Sequence, residues 1–227
     1  NTAAAACDRL IEGAGGAASL MTEDQYVQKI SGNYENNPLY PIYEASTSGF
    51  TCFAQNPEAV YGFGWQYGGG GSVASYNNFL TGSYRIDDRL YNKIDANDYR
   101  KDNFHPEAPD HLYYLPGNTS FIDGGNPLQV GTYWSTKFAN NVGLGGGVVG
   151  NSNNAKVNTV DFAFIRLSEI YLMKAECQAR NGDANGAKAT LNILLDARSK
   201  AGTTLTCDNY SSMAGMSALE MVQLQTR

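Results

Sequence analysis

The sequence predicts a mainly α chain: helical hairpins of tetratricopeptide-like size, long irregular loops and a few short strands. Three observations carry this expectation. Residues 162–202 hold two runs with helical apolar spacing, joined by a tight "NGD" turn. The 227 residues are 42% hydrophobic and only 17% charged, which suits a packed core and not a disordered chain. The 25 glycines and 7 prolines gather between the periodic runs, as in the four glycines at 68–71 and the Gly-rich stretch 143–150.

Taken in order, residues 2–12 read as a short helix with Ala4, Leu10 and Ile11 on its apolar side, ended by Gly13, Gly15 and Gly16. Thr22, followed by Glu23, Asp24 and Gln25, marks a second helix start, with Tyr26, Val27 and Ile30 inside. Residues 33–56 read as irregular. "EAVYGFGWQY" (58–67) alternates as a strand, placing Tyr61, Phe63, Trp65 and Tyr67 on one face. "SYRIDDRLYNKI" (83–94) reads as helical, capped by Ser83 with a stripe of Ile86, Leu90 and Ile94. Residues 102–158 are loop-rich, with a strand expected around "YWSTKF" (133–138); such long connections are usually functional surface or disorder.

The strongest pattern follows. "FAFIRLSEIYLMKAECQARNG" (162–182) reads as one helix with a stripe of Phe164, Leu167, Tyr171 and Ala175, widened by Ile165, Leu172 and Ala179 and stopped at Gly182. Asp183 caps a second helix whose buried side is Ala187, Leu191, Leu194, Leu195 and Arg198, with Gly202 as its end. One such hairpin cannot bury both faces and requires neighbours. A last helix is expected from about Ser217.

The net charge of −6 and pI near 4.9 argue against a nucleic-acid partner and against docking on anionic lipid. No apolar run is long enough to span a bilayer. Ala3–Ala6 before Cys7 superficially matches a lipoprotein cleavage site, but no hydrophobic region precedes it; for an exported protein the targeting segment is expected upstream of this chain. Cys7, Cys52, Cys177 and Cys207 lack the spacing of a zinc or redox motif. Cys177 is expected as a small buried hydrophobe, and pairing of Cys52 with Cys7 or Cys207 is left open.

Fifteen tyrosines, nine phenylalanines and two tryptophans suit ligands with both apolar faces and hydroxyls, such as sugars, although filling a core is the competing use. The candidate ligand-binding residues are Trp65, Tyr67, Tyr76 and Phe79 around the glycine run, with Asn77 and Asn78 as hydrogen-bond partners, then Tyr113 in "HLYYLPGN" and Trp134 beside Tyr133. Arg166, Glu169 and Arg198 read as structural charges that pair across the hairpin or bond to loop carbonyls. Asp87, Asp88, Asp95, Asp98 and Asp102 form an acidic cluster that either binds calcium or sits solvated at a helix end; it lacks the glycine and terminal glutamate of an EF-hand. His105 and His111 have no accompanying nucleophile motif, and nothing marks a catalytic pair of carboxylates. No catalytic residue and no cofactor is therefore assigned.

The hairpin also carries a resemblance. "FAFIRLSEIYLMKAECQARNGDANGAKATLNILLDARSKAG" is similar to the SusD/RagB pattern, with Arg166, Leu167, Glu169, Leu172, Ala175, Glu176, Asn192, Arg198, Ala201 and Gly202 at its characteristic positions. "SLMTEDQY", "PEAVYGF", "DANDYRKDNF" and "YWSTKF" resemble further blocks of that family in the same order, so the resemblance covers roughly residues 5–227. Cys177 departs from the usual small apolar residue, and Leu195 and Asp196 from a more basic stretch. The family's earlier helical repeats and the block expected past Arg227 are not in the sequence. The chain thus reads as part of a SusD/RagB-like domain: a loop-rich segment (1–158), a tetratricopeptide-like hairpin (159–202), and a loop with the start of a last helix (203–227). The resemblance implies a non-catalytic outer-membrane lipoprotein of Bacteroidetes-type bacteria, displayed on the cell surface. Such a protein binds polysaccharide or oligosaccharide and passes it to a SusC-like TonB-dependent transporter. Its membrane contact is through a lipid anchor absent from this chain. A helical scaffold binding a protein or peptide, and a carbohydrate-active enzyme, are the alternatives.

Overall fold

The computed structural model describes residues 2–27, 30–33, 41–43, 56–63, 88–105, 134–135 and 162–226. Its helices are α1 (Thr2–Gly13), α2 (Glu23–Tyr26), α3 (Asp88–Tyr91), α4 (Leu167–Arg180), α5 (Ala184–Ala197) and α6 (Ala218–Thr226). Its strands are β1 (Ile30–Asn33), β2 (Pro41–Tyr43), β3 (Ala59–Phe63), β4 (Phe104–His105), β5 (Trp134–Ser135) and β6 (Phe162–Arg166). They pair antiparallel as three two-stranded sheets, β1 with β2, β3 with β6 and β4 with β5. The described residues are thus mainly helical with short strands, as expected.

The hairpin of α4 and α5 is the centre of the molecule. Gly182 turns the chain at φ 85°, a conformation that only a residue without Cβ adopts cheaply. Asp183 Oδ1 then accepts the Gly186 N–H at 2.8 Å and caps α5. Ala187, Leu191, Leu194, Leu195 and Arg198 are all buried, as their spacing predicts. The helix ends at Ala197 and not at Gly202, which instead serves a later turn at φ 78°. α1 and α6 pack on α4, and α6 also on α5, so the hairpin finds the neighbours it needs. Leu167, Tyr171, Leu194, Met213 and Val222 meet in this core; fully burying side chains of this size is worth about 1.5–3 kcal/mol each. Ser217 opens α6 by a reciprocal cap: Glu220 N–H donates to Ser217 Oγ at 3.3 Å and Ser217 N–H to Glu220 Oε2 at 2.7 Å.

Several expectations are corrected. Residues 162–166 are strand and not the first turn of a helix, and α4 starts at Leu167. Phe162, Phe164 and Ile165 have aromatic and β-branched side chains that suit a strand, and β3 supplies the partner. Phe164 therefore leaves the helical stripe and is 52% exposed, while Ile170, unassigned by the pattern, is buried. In α1 the buried residues are Cys7 and Ile11, and Leu10 is 45% exposed. α2 is one turn long: Thr22 N–H donates to Gln25 Oε1 at 3.0 Å, but Val27 is already extended and Ile30 begins β1. The irregular stretch 33–56 contains β2. Of the helix expected over 83–94, residues 88–91 are helical, and Ser83 and Ile86 lie outside the described residues. Cys177 is only partly buried, whereas Cys7 and Cys207 are buried; all three are free thiols, and Cys52 lies outside the described residues. Among the described residues no helix is long and apolar enough to cross a membrane.

Candidate functional site

Glu58 sits in the turn that leads into β3, with its side chain fully buried. A carboxylate there demands cations and donors. Arg198, the residue that ends α5, makes an ion pair and hydrogen bond to Glu58 Oε1, and Met21 N–H donates to the same oxygen at 2.7 Å. Arg166 Nη1 stands 3.9 Å from Glu58 Oε2, and Arg166 Nε pairs in turn with Glu169 Oε1 at 3.6 Å. Arg198 Nη1 donates to Met21 O at 3.0 Å and to Tyr99 Oη at 2.8 Å, and Tyr99 Oη donates to Met21 O at 2.6 Å. The guanidinium lies over the Tyr26 ring, 4.7 Å from its centroid. Burial pushes the Glu58 carboxyl upward, but Arg198, Arg166 and the Met21 N–H outweigh it and hold the group below the usual carboxylate range. Burial raises the Tyr99 hydroxyl to about 12, so it stays protonated as a donor. Arg166 and Arg198 are thus bound to a buried carboxylate of the chain, and their shared partner is Glu58 and not a charge across the hairpin. The partner that the sequence reading missed is Glu58.

A second buried cluster joins the 95–100 segment to the chain end. Asp98 is fully buried and is gripped by Arg100, whose Nε lies 2.9 Å from Oδ1. Tyr210 Oη donates to Asp98 Oδ2 at 3.0 Å and accepts the Asp95 N–H at 3.1 Å. Asp95 accepts the N–H groups of Asn97 at 2.9 Å and Ser211 at 2.8 Å. Burial opposes ionisation of Asp95, but these hydrogen bonds prevail and its carboxyl is held low. Asp102 pairs with Lys200 at 2.8 Å. Three of the five carboxylates of the acidic cluster, Asp95, Asp98 and Asp102, thus bind N–H groups and cations of the chain, while Asp87 lies outside the described residues. Among the described residues no group of three or more metal-ligating side chains converges.

Two surface features remain for ligands. On the β3–β6 sheet, Tyr61 is 64% exposed and Phe164 52%, with ring centroids 6.2 Å apart and planes inclined by 30°. The pairing of the two strands shifts register twice, between Ala59 and Tyr61 and again between Tyr61 and Gly62, so that Tyr61 stands opposite Ile165. The strand ends are clamped by Leu167 N–H, which donates to Glu58 O at 2.7 Å. The second feature is a cavity of about 500 Å³ between α4, the end of α6 and residues 90–104. Tyr26, Phe104, Lys93, Asn103, Glu176 and Gln225 give it apolar walls with hydrogen-bonding groups, the general make-up of a polar-ligand pocket.

Of the candidates named from sequence, Trp65, Tyr67, Tyr76, Asn77, Asn78, Phe79, Tyr113 and Tyr133 lie outside the described residues. Trp134 is described for its backbone: β5 pairs it with His105 and pairs Ser135 with Phe104, which lines the cavity. Tyr61 was read onto the aromatic face of its strand but not as a ligand residue, and Phe164 was assigned to the core. The signal for Phe164 was available in the β-favouring "FAFI" run just before the helix.

No curated protein matches the chain. Solved structures similar to it include two SusD-like proteins. One is a SusD-like carbohydrate binding protein from Bacteroides vulgatus ATCC 8482, 18% identical with a TM-score of 0.48, over 97% of this chain and 38% of that one. The other is a SusD superfamily protein from Parabacteroides distasonis ATCC 8503, 15% identical with a TM-score of 0.44, over 96% of this chain and 43% of that one. The chain therefore spans about two fifths of the length of these structures. The SusD family profile matches residues 18–223, from the Met21–Glu58 contact region through the hairpin and into α6, and the chain belongs to the SusD family.

Proposed function

We propose that this chain is part of a non-catalytic, cell-surface glycan-binding protein, in which a helical scaffold holds aromatic side chains against an oligosaccharide. In this reading the protein is lipid-anchored at the outer membrane and delivers its ligand to a SusC-like TonB-dependent transporter. The chain supplies part of the domain: a loop-rich segment over 1–158, the hairpin region over 159–202, and a closing segment over 203–227. Family membership supports the glycan reading, as does the name of one similar protein, a SusD-like carbohydrate binding protein. The observation that carries it within the chain is the exposed Tyr61–Phe164 pair on a clamped two-stranded sheet.

Sugar rings offer C–H faces to such side chains, and aromatic contacts are worth about 0.5–1.5 kcal/mol beyond area burial. Each aromatic should thus change the dissociation constant by about two- to twelve-fold. The test is native gel electrophoresis in soluble polysaccharides, followed by titration with the one that retards the protein. Tyr61→Ala and Phe164→Ala should each weaken binding within that range, with no reducing sugar released on long incubation. Unchanged affinity in both variants refutes this platform. Sugar release that one acid-to-amide substitution abolishes would make the protein an enzyme, and retention by a protein partner alone would make it a peptide-binding scaffold.

A further inference from the structure

We propose that the cavity between α4 and the end of α6 is the seat of a carboxylate held at the N-terminus of α4, and that its ligand is a sugar acid of the uronic type. α4 has no side-chain cap: Arg166, at its N-cap, makes no cap hydrogen bond. The first N–H groups of a helix have no acceptor within it. Leu167 N–H finds Glu58 O at 2.7 Å, and the next two belong to Ser168 and Glu169, both of which line the cavity. The aligned peptide dipoles favour an anion at that end. A second observation, independent of the helix, points to the same place. Ser168 is only 6% exposed and lines the cavity, yet its hydroxyl makes no hydrogen bond among the described residues. A buried donor without a partner is costly, and a ligand oxygen seated in the cavity would satisfy it.

The charges around the cavity leave a place for one more anion. Glu169 Oε1 is taken by Arg166 Nε at 3.6 Å, and Glu176 Oε1 accepts from Arg180 Nε at 2.7 Å. Arg198 and Arg100 are matched by Glu58 and Asp98. Lys93, which lines the cavity and is exposed, has no ion pair among the described residues. Its uncompensated charge draws an anion in from solvent. The cavity, of about 500 Å³, is of a size that holds a small organic molecule. Leu172, Leu194 and Leu224 offer apolar surface to the C–H face of a sugar, while Gln225 and Thr226 supply amide and hydroxyl groups for its hydroxyls. The choice of a sugar acid rests on the glycan reading; the carboxylate seat rests on the cavity alone.

The test is an NMR titration of the isotope-labelled chain with glucuronate and with glucose, a hydroxylated ring that lacks the carboxylate. Glucuronate should bind about tenfold or more tightly than glucose, and the backbone amide signals of Ser168 and Glu169 should shift as it binds. Ser168→Ala removes a hydrogen bond to a charged group and should weaken glucuronate by about tenfold or more. Lys93→Gln, an exposed charge, should weaken it by about two- to five-fold. Equal affinity for the two sugars overturns the seat, as does a Ser168→Ala variant that keeps its circular dichroism spectrum and binds glucuronate as before. The glycan platform stands or falls separately: a chain retained by neutral polysaccharide that ignores glucuronate loses this seat alone, and one that binds glucuronate without retention by any polysaccharide keeps the seat and loses the platform.

Discussion

Replacing Arg198 by Met is the most discriminating perturbation of the scaffold. The side chain is almost wholly buried, so Met retains much of its volume while deleting the charge and all its donors. The loss comprises the ion pair to Glu58, the bonds to Met21 O at 3.0 Å and Tyr99 Oη at 2.8 Å, and the stacking over Tyr26. Breaking a buried pair from one side costs about 3–5 kcal/mol, because the abandoned charge remains in the interior. Here the abandoned charge is not alone. Arg166 Nη1 remains 3.9 Å from Glu58 Oε2, a separation worth about 4 kcal/mol of attraction at an effective dielectric of 20, before desolvation. Arg198→Met should therefore fall at the low end, about 3 kcal/mol. Glu58→Met should be worse, about 4–5 kcal/mol, since it leaves Arg198 and Arg166 facing each other without their shared anion. The double variant removes the mismatch and should cost clearly less than the sum. Urea unfolding followed by circular dichroism measures all three, against a total stability of about 5–15 kcal/mol. A loss below about 1 kcal/mol for Arg198→Met, or additivity in the double variant, would refute the account of a shared buried anion.

Tyr210→Phe deletes one hydroxyl that both donates to Asp98 at 3.0 Å and accepts from Asp95 N–H at 3.1 Å. It leaves a buried N–H without its acceptor, so the same urea titration should show a loss of about 1–3 kcal/mol. Stability should also depend on pH at both extremes. The Glu58 and Asp95 carboxyls are held below their ordinary values of 4.5 and 3.8, so their contribution is full above those values and is lost as pH falls below them. The Tyr99 and Tyr210 hydroxyls are raised from 10.0 to about 12, so their contribution is full below pH 10 and is lost as pH rises towards 12. Melting temperatures across pH should show both limbs, and Glu58→Met with Arg198→Met should flatten the acid one.

What was legible in the sequence was what local spacing determines. The buried side of α5, the Gly182 turn and the Asp183 cap follow from positions a few residues apart, and the structure has all three. What failed was set by distant partners. Residues 162–166 match a helical stripe, because Phe164, Leu167 and Tyr171 have the right intervals; they are a strand because β3, about a hundred positions earlier, offers a free edge. Glu58 was equally hidden, although one signal pointed to it. Arg198 falls on the buried side of an apolar stripe, and a cation there requires an anion from elsewhere. An acid beside an apolar strand, as in "PEAVYGF", was the natural donor of that charge. Tyr61 stood in the expected aromatic row without being singled out as a ligand residue, and its neighbour Phe164 comes from the strand that spacing misassigned.

The buried polar node and the aromatic platform are mechanically one object. Glu58 lies three residues before Tyr61, and Leu167, whose N–H donates to Glu58 O at 2.7 Å, lies three residues after Phe164. The same residue whose side chain Arg198 holds therefore pins, through its backbone, the ends of both strands that carry the exposed rings. Rotating either strand end by one residue would turn its aromatic to the opposite face, because side chains alternate along a strand. The pairing of these strands already shifts register twice. Charge buried at the hairpin is thus tied to the choice of which side chains face solvent on the sheet. Substitutions at the node should lower the fraction of chains presenting the platform, whereas Tyr61→Ala and Phe164→Ala should alter affinity in chains that remain folded.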